Sequence, residues 1–224
     1  MLNRSQEKLV RAVMTKKGRE KTGRCLVEGP KLLEEAGDLL DFYFDQHTTE
    51  GFKDIVTTDN PQQVAGIARI PNWADEVLMT RPVLIVLDGV QDPANVGAAF
   101  RLALGFDAAL ILTNSADPTS PKVIRSSAGA IFHAPWRTIS TEKLPAFLKK
   151  ANRPIYRLEK RGNAKPVTEI THREPVVLVV GSEGQGIQSA IDGASVFVPH
   201  RPELESLNVT HALAIALYEH SRVV

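Results

Sequence analysis

The chain has 224 residues, 43% of them apolar and 24% charged, with 27 basic and 26 acidic side chains and a net charge of +1. These totals fit one or two soluble globular domains and exclude a disordered or fibrous chain. Cys25 is the only cysteine, which excludes an internal disulfide and a cysteine zinc cluster.

In chain order, residues 3–16 read as a helix with Leu9, Val10 and Val13 apolar among charges. Residues 1–24 carry Arg4, Lys8, Arg11, Lys16, Lys17, Arg19, Lys21 and Arg24 against only Glu7 and Glu20. This basic patch fits a polyanionic partner or a solvated helix face, and charge alone does not choose. CLVEG from Cys25 predicts a strand with a buried thiol, and PKLLEEAG a helix with proline at its first turn and glycine at its end. LDFYF and DIVTT predict strands, and PQQVAGIA a short helix. A linker with Trp73 runs from Pro71 to Pro82, so residues 1–75 are expected to form a first domain and 82–224 a second.

PVLIVLDGV opens the second part with an apolar run of the kind found in the middle of a parallel sheet. ANVGAAFRLALGF then predicts a helix, AALILT a strand, and SPKVIRSSAGAIF a turn and helix. RTIS, a helix around KLPAFLKKA, and the strands PIYRL, VVLVVG and SVFVP follow. Strands alternating with helices predict an α/β fold with a mostly parallel sheet. The last helix carries Val209, Ala212, Leu213, Ala216 and Leu217 on one stripe, with Ala214, Ile215 and Tyr218 elsewhere. Burial inside the domain and burial against a second subunit both fit it.

Three segments bear on chemistry. The loop GSEGQGI after VVLVV has three glycines and one carboxylate, Glu183, and matches neither the dinucleotide-binding glycine pattern nor a P-loop. It is either a ligand-cradling loop or a tight turn. The turn DGVQDPANVG lies at the C-terminal end of a central strand, where open α/β sheets place ligands. Asn95 there could cap the next helix, and Arg101 does not share its face. Ser206-Leu207-Asn208 opens the last helix, with Asn208 as a plain cap the simpler reading. His47, His133, His172, His200, His211 and His220 form no metal spacing, so no metal is expected. No apolar run spans a bilayer and the N-terminus has no apolar signal core, so no membrane is expected and the compartment is read as the cytoplasm.

Together DPANVGAAFRLALGF, VVGSEGQGI and VPHRPELESLNVTHALAIALYE resemble, in order and spacing, the three motifs of the SpoU (TrmH) family of RNA ribose 2′-O-methyltransferases, members of the SPOUT class. The N-terminal part, including KGREKTGRCLVEGPKLLEEA, is similar to the family's small substrate-binding domain. The resemblance implies an α/β domain with a C-terminal trefoil knot, preceded by a small α/β domain. It also implies S-adenosylmethionine as cofactor, a ribosomal or transfer RNA substrate, and a homodimer. Carried onto this chain, it implies catalytic roles for Asn95, Arg101, Glu183, Ser206 and Asn208, and cofactor contacts at Gly181, Val198 and Leu207. Arg125 and Ser127 are expected along the RNA path, with Lys8, Arg11, Lys16 and Lys17 gripping phosphates. Arg101 is expected to clamp a phosphate of the target nucleotide rather than act as the base, since a guanidinium does not readily give up its proton. Glu183 would orient Arg101 or Asn95. A non-catalytic RNA-binding or ribosome-assembly protein on the same fold is the alternative. The run Pro199-His-Arg-Pro-Glu-Leu-Glu205 departs from the family's pattern before the third motif.

Overall fold

The computed structural model describes residues 2–57, 62–170 and 174–222. It begins with α1 (Arg4–Val13), α2 (Lys16–Thr22), β1 (Arg24–Glu28), α3 (Pro30–Ala36), β2 (Leu40–Asp45), α4 (Phe52–Ile55) and β3 (Val64–Arg69). There follow α5 (Asp75–Met79), β4 (Val83–Asp88), α6 (Pro93–Gly105), β5 (Ala108–Thr113), α7 (Pro121–Ser126) and β6 (Trp136–Thr138). The chain closes with α8 (Leu144–Ala151), β7 (Ile155–Leu158), β8 (Lys165–Pro166), β9 (Val176–Gly181), β10 (Ala194–Phe197) and α9 (Val209–Ser221). These elements form two compact units: Met1–Asn72 with Asp117–His133, and Trp73–Ala116 with Ala134–Val224.

The first unit holds a three-stranded antiparallel sheet in the order β1-β3-β2. Val10 and Val13 of α1 pack with Leu26, Phe44, Phe52, Ala65 and Ile67. Three expectations fail in this unit. PQQVAGIA is not a helix: Val64–Arg69 is the central strand. A Cβ on Gly66 would lie 2.9 Å from both the Leu40 side chain and the Phe42 carbonyl, beside an irregularity in β2. The glycine marks close approach of a neighbouring backbone, a tertiary reason that local propensity does not carry. In DIVTT the residues Asp54 and Ile55 end the helix α4, and Thr58 lies outside the described residues. The N-terminal helix also breaks at Thr15, whose side chain caps the separate α2.

The second unit is a seven-stranded, all-parallel sheet in the order β6-β5-β4-β9-β7-β10-β8. β4 and β5 are buried along their whole length, as their unbroken apolar runs require. β4 and β9 pair residue for residue from Val83 with Val176 to Asp88 with Gly181. The first and second motifs therefore leave the sheet side by side. Helix α6 packs against β5 and α9 through Val96, Ala99, Phe100 and Ala103, a stripe of one helical face. Its N-cap is Asp92, which accepts from the Ala94 amide at 2.9 Å, so Asn95 is not the cap.

Candidate active site

Asp88 ends β4 as a buried carboxylate. It accepts from the Gln188 and Ser189 amides, each at 2.7 Å, and from the Ser189 hydroxyl at 3.0 Å. Three donors satisfy a charge that burial would otherwise penalise heavily. They also pin the residues that follow the glycine loop.

The loop itself is a closed turn. Ser182 and Gly186 exchange both backbone bonds, at 2.9 and 3.2 Å, and the Ser182 hydroxyl accepts from Gln185 at 3.2 Å. Gly186 sits at φ +67°, a conformation that favours glycine. A Cβ on Gly181 would lie 2.1 Å from the Gly186 carbonyl carbon. These two glycines answer to the tight turn itself. Glu183 rides at its exposed tip.

Glu183, Asn95 and Asn208 meet there. Asn95, buried on the first turn of α6, donates from Nδ2 to Glu183 Oε1 at 3.2 Å. Asn208 donates from Nδ2 to the same oxygen at 2.9 Å and to Asn95 Oδ1 at 3.0 Å. Asn208 Oδ1 accepts from the Thr210 amide at 2.9 Å and the Thr210 hydroxyl at 2.7 Å, and more weakly from the His211 amide at 3.4 Å. Asn208 is thus both the cap of α9 and one corner of a triangle whose other corners, Glu183 and Asn95, lie 25 and 113 positions away in the chain. The triangle fixes Glu183 through two side-chain amides, one of which is held by the start of a helix.

The remaining expected residues do not join the triangle. Arg101 is exposed on α6 and, among the described residues, its side chain makes no ion pair or hydrogen bond; Glu183 orients Asn95 and Asn208, not Arg101. Ser206 is exposed, and Leu207 half-buried, in backbone that is neither helix nor strand. The Val198 carbonyl is engaged by His200 Nδ1 at 2.6 Å, a bond contributed by the stretch that departs from the family's pattern. Arg161 is a residue that sequence reasoning passed over: its Nη2 would lie 3.6 Å from a Cβ on Gly186. No spacing could have placed it beside the loop, because β7 meets β9 only through sheet order.

In the first unit, Lys8, Arg11, Lys16 and Lys17 are exposed. Arg19, counted with them in the basic run, is buried at 4% exposure. It pairs with Asp117 and donates to Thr119 Oγ1 at 3.1 Å and the Val13 carbonyl at 2.8 Å. Arg24 pairs with Asp41 at 2.8 Å, which removes a second charge from the patch. Arg125 is held by the buried Glu28 and by Thr57 Oγ1 at 2.6 Å. Ser127 is fully buried, with its hydroxyl donating to the Ile124 carbonyl at 2.8 Å, so it offers RNA no surface in this conformation. His172 lies outside the described residues. Among the described residues no cluster could hold a metal ion, and no helix is long and apolar enough to cross a membrane.

A parallel α/β sheet with a side-chain triangle and an irregular backbone loop at its carboxyl edge defines a ligand-binding α/β enzyme domain. Residues 82–218 match the model of the SpoU rRNA Methylase family, and the chain belongs to that family. It is 32% identical to the Bacillus subtilis 23S rRNA (guanosine(2553)-2′-O)-methyltransferase over 91% of each chain. It is also 32% identical to a 23S rRNA (adenosine(1067)-2′-O)-methyltransferase from Streptomyces azureus, over 69% of this chain and 60% of that one. Among solved structures, a TrmH-family protein from Porphyromonas gingivalis superposes with a TM-score of 0.85 at 29% identity, covering 99% of this chain and 98% of its own. An AdoMet-bound rRNA methyltransferase from Sinorhizobium meliloti superposes at 0.84 with 25% identity, covering 98% and 96%. The fold is therefore that of the SPOUT methyltransferases, as the three motifs implied.

Proposed function

We propose that this chain is an S-adenosylmethionine-dependent methyltransferase that methylates a ribose 2′-hydroxyl in structured RNA. The observation that carries the reading is the convergence of Asn95, Glu183 and Asn208 at the carboxyl edge of β4 and β9. A protein that only bound RNA would have no need to hold a carboxylate between two amides there, and nothing favours the non-catalytic alternative. Ribosomal RNA is the substrate class we favour, since both curated relatives above are named for 23S rRNA.

The residues present fit the cofactor. Gly181 ends β9 at the carboxyl edge of the sheet, and Val198 and Leu207 lie on backbone that is neither helix nor strand from residue 198 to 208, so most amides and carbonyls there are not committed to a helix or sheet, although His200 engages the Val198 carbonyl. Such groups can take up the donors and acceptors of an adenosine. The C-terminal trefoil knot of the SPOUT fold belongs to the same reading. S-adenosylmethionine, when bound, supplies a methyl on a sulfonium whose thioether leaves neutral, so no acid is needed.

The protein's tasks are then positioning and proton acceptance. Well-oriented encounter contributes roughly 7–11 kcal/mol. Arg101, exposed and without a side-chain partner among the described residues, is the cation that would clamp a phosphate of the target nucleotide. Asn95 and Asn208 hold Glu183 rigid, and Ser206 stands two residues before Asn208. The proton passes to a phosphate oxygen or water rather than to the arginine. We further assign residues 1–75 as a substrate-binding domain and 82–224 as the methyltransferase domain, with Lys8, Arg11, Lys16 and Lys17 as phosphate contacts. Arg125, tied to Glu28, would reach RNA only by exchanging that partner.

The active form we propose is a homodimer. Helix α9 buries Val209, Leu213, Ala216 and Leu217 but leaves Ile215 and Tyr218 exposed, and Leu104 of the neighbouring α6 is exposed as well. The cytoplasm, where such RNA is met, is the compartment we propose. The test is Arg101→Ala in methyl transfer to ribosomal RNA, with cofactor affinity measured separately. Transfer is expected to fall roughly 10²-fold, the cost of a misplaced substrate, with cofactor affinity unchanged. Near-normal transfer would remove Arg101 from the site.

A further inference from the structure

The first unit contains a pocket of about 330 Å³ lined by Leu2, Glu7, Val10, Arg11, Thr49, Glu50, Gly51 and Ile55. Its size is at the lower end for small-ligand sites, which run from about 300 to 1,000 Å³. Leu2, Val10 and Ile55 give it apolar walls. Its charged groups, Glu7, Arg11 and Glu50, are exposed and open to a ligand. Glu7 and Arg11 stand at i and i+4 on α1, the spacing at which opposite charges usually pair, yet no ion pair joins them among the described residues. Glu50 has no ion pair or side-chain hydrogen bond there either. Thr49 is 8% exposed, and its hydroxyl is buried with no hydrogen-bond partner. Buried polar groups are ordinarily satisfied, and an orphaned one calls for an explanation. Two exposed carboxylates and an exposed guanidinium beside apolar walls, none engaged by another side chain among the described residues, are the groups this pocket offers a ligand.

We propose that this pocket receives an unpaired guanine of the substrate RNA. Resting on the reading of the chain as an RNA methyltransferase, this names the base that the substrate domain reads. The chemistry selects the base. An ionised carboxylate only accepts and a guanidinium only donates. Guanine alone among the four bases offers two adjacent donors, N1–H and the N2 amino group, on one edge and two acceptors, O6 and N7, on another. Adenine and cytosine would turn a ring-nitrogen lone pair toward the carboxylate, and uracil flanks its one donor with carbonyls. Unstacked bases of loops and bulges are the ones a protein pocket can take. The exposed Lys8, Lys16 and Lys17 would hold the flanking phosphates, with Arg11 turned to the base in place of the phosphate contact assigned to it above.

The test compares guanosine and inosine 5′-monophosphates, which differ only in the N2 amino group, together with adenosine 5′-monophosphate. Each is titrated into the full-length protein, followed by methyl resonances of Leu2, Val10 and Ile55. The guanine nucleotide is expected to shift these resonances and bind roughly tenfold tighter than the other two, the selectivity of one bidentate contact. Glu7→Gln and Glu50→Gln should reduce that preference while leaving the folded spectrum intact. Equal binding of all three nucleotides, or no shift at the pocket, overturns the proposal. Because S-adenosylmethionine binding is titrated separately on the same samples, a failure of the methyltransferase reading would show there and not in the nucleotide series.

Discussion

Asn208 has two tasks that a pair of substitutions can separate. As the cap of α9 it accepts from Thr210 and His211, and as a corner of the triangle it donates to Glu183 and Asn95. Asn208→Ala should lose about 1 kcal/mol of stability with the cap, and methyl transfer with the triangle. Asn208→Ser keeps a capping oxygen but no amide, so it should melt close to the wild type and still fail to transfer. If the serine variant is active, the triangle is only a helix cap. Cys25 has the opposite character. Burial pushes its thiol from an ordinary 9.0 up to about 12, with the nearby Arg19 opposing and Asp117 adding to the rise. It should be inert to thiol reagents at pH 8 in the native protein and react only on unfolding. Because the unfolded thiol ionises first, this residue lowers stability as pH rises from 9 toward 12 and has no effect below that range. Rapid native labelling would show that Cys25 is not buried.

Helix α2 is tied to the rest of its unit by a buried ion pair. Arg19 at its middle is joined to Asp117 within the same unit, with side-chain exposures of 5% and 16%. Burial alone would raise the Asp117 carboxyl, but the hydrogen bonds from Arg19 and Thr119 outweigh it and hold the group below its ordinary 3.8. A depressed carboxylate contributes stability above its unfolded value, and that contribution is lost as pH falls through the lower folded value. Asp117→Asn should cost about 3–5 kcal/mol at pH 7, because it leaves a buried arginine unpaired. The gap between variant and wild type should close on acidification below pH 4, read by urea unfolding at stepped pH. A gap independent of pH would mean that shape, not charge, holds the segment. This contact also shows where sequence reading stops. A run of cations between residues 4 and 24 looked uniform, and only the fold reveals that Arg19 is interior and Arg24 paired, while Lys8 and Lys16 face solvent. The strands β4, β5 and β9 were legible because burial on both faces demands unbroken apolar runs. β3 was not, because alanine and glycine at its centre answer to the close approach of β2.

At the scale of the whole molecule, the triangle was legible only through the order of three motifs. Asn95, Glu183 and Asn208 are brought together by the pairing of β4 with β9 and the packing of α9 against β9 and α6, none of which any spacing encodes. Asp88 and Arg161 were missed for the same reason. Asp88 stands in the run DGV as one more turn residue, yet it fixes the segment beyond the glycine loop through Gln188 and Ser189. The sheet carries these groups at one edge, and its function follows from that edge. The most direct measurement is a map of ribose 2′-O-methyl groups in ribosomal RNA from cells with the protein, without it, and with Glu183→Ala in its place. The account predicts one or a few 2′-O-methyl sites present with the wild type, absent without the protein, and absent or strongly reduced in the variant. Identical maps in all three, or a methyl group found on a base rather than a ribose, would contradict it.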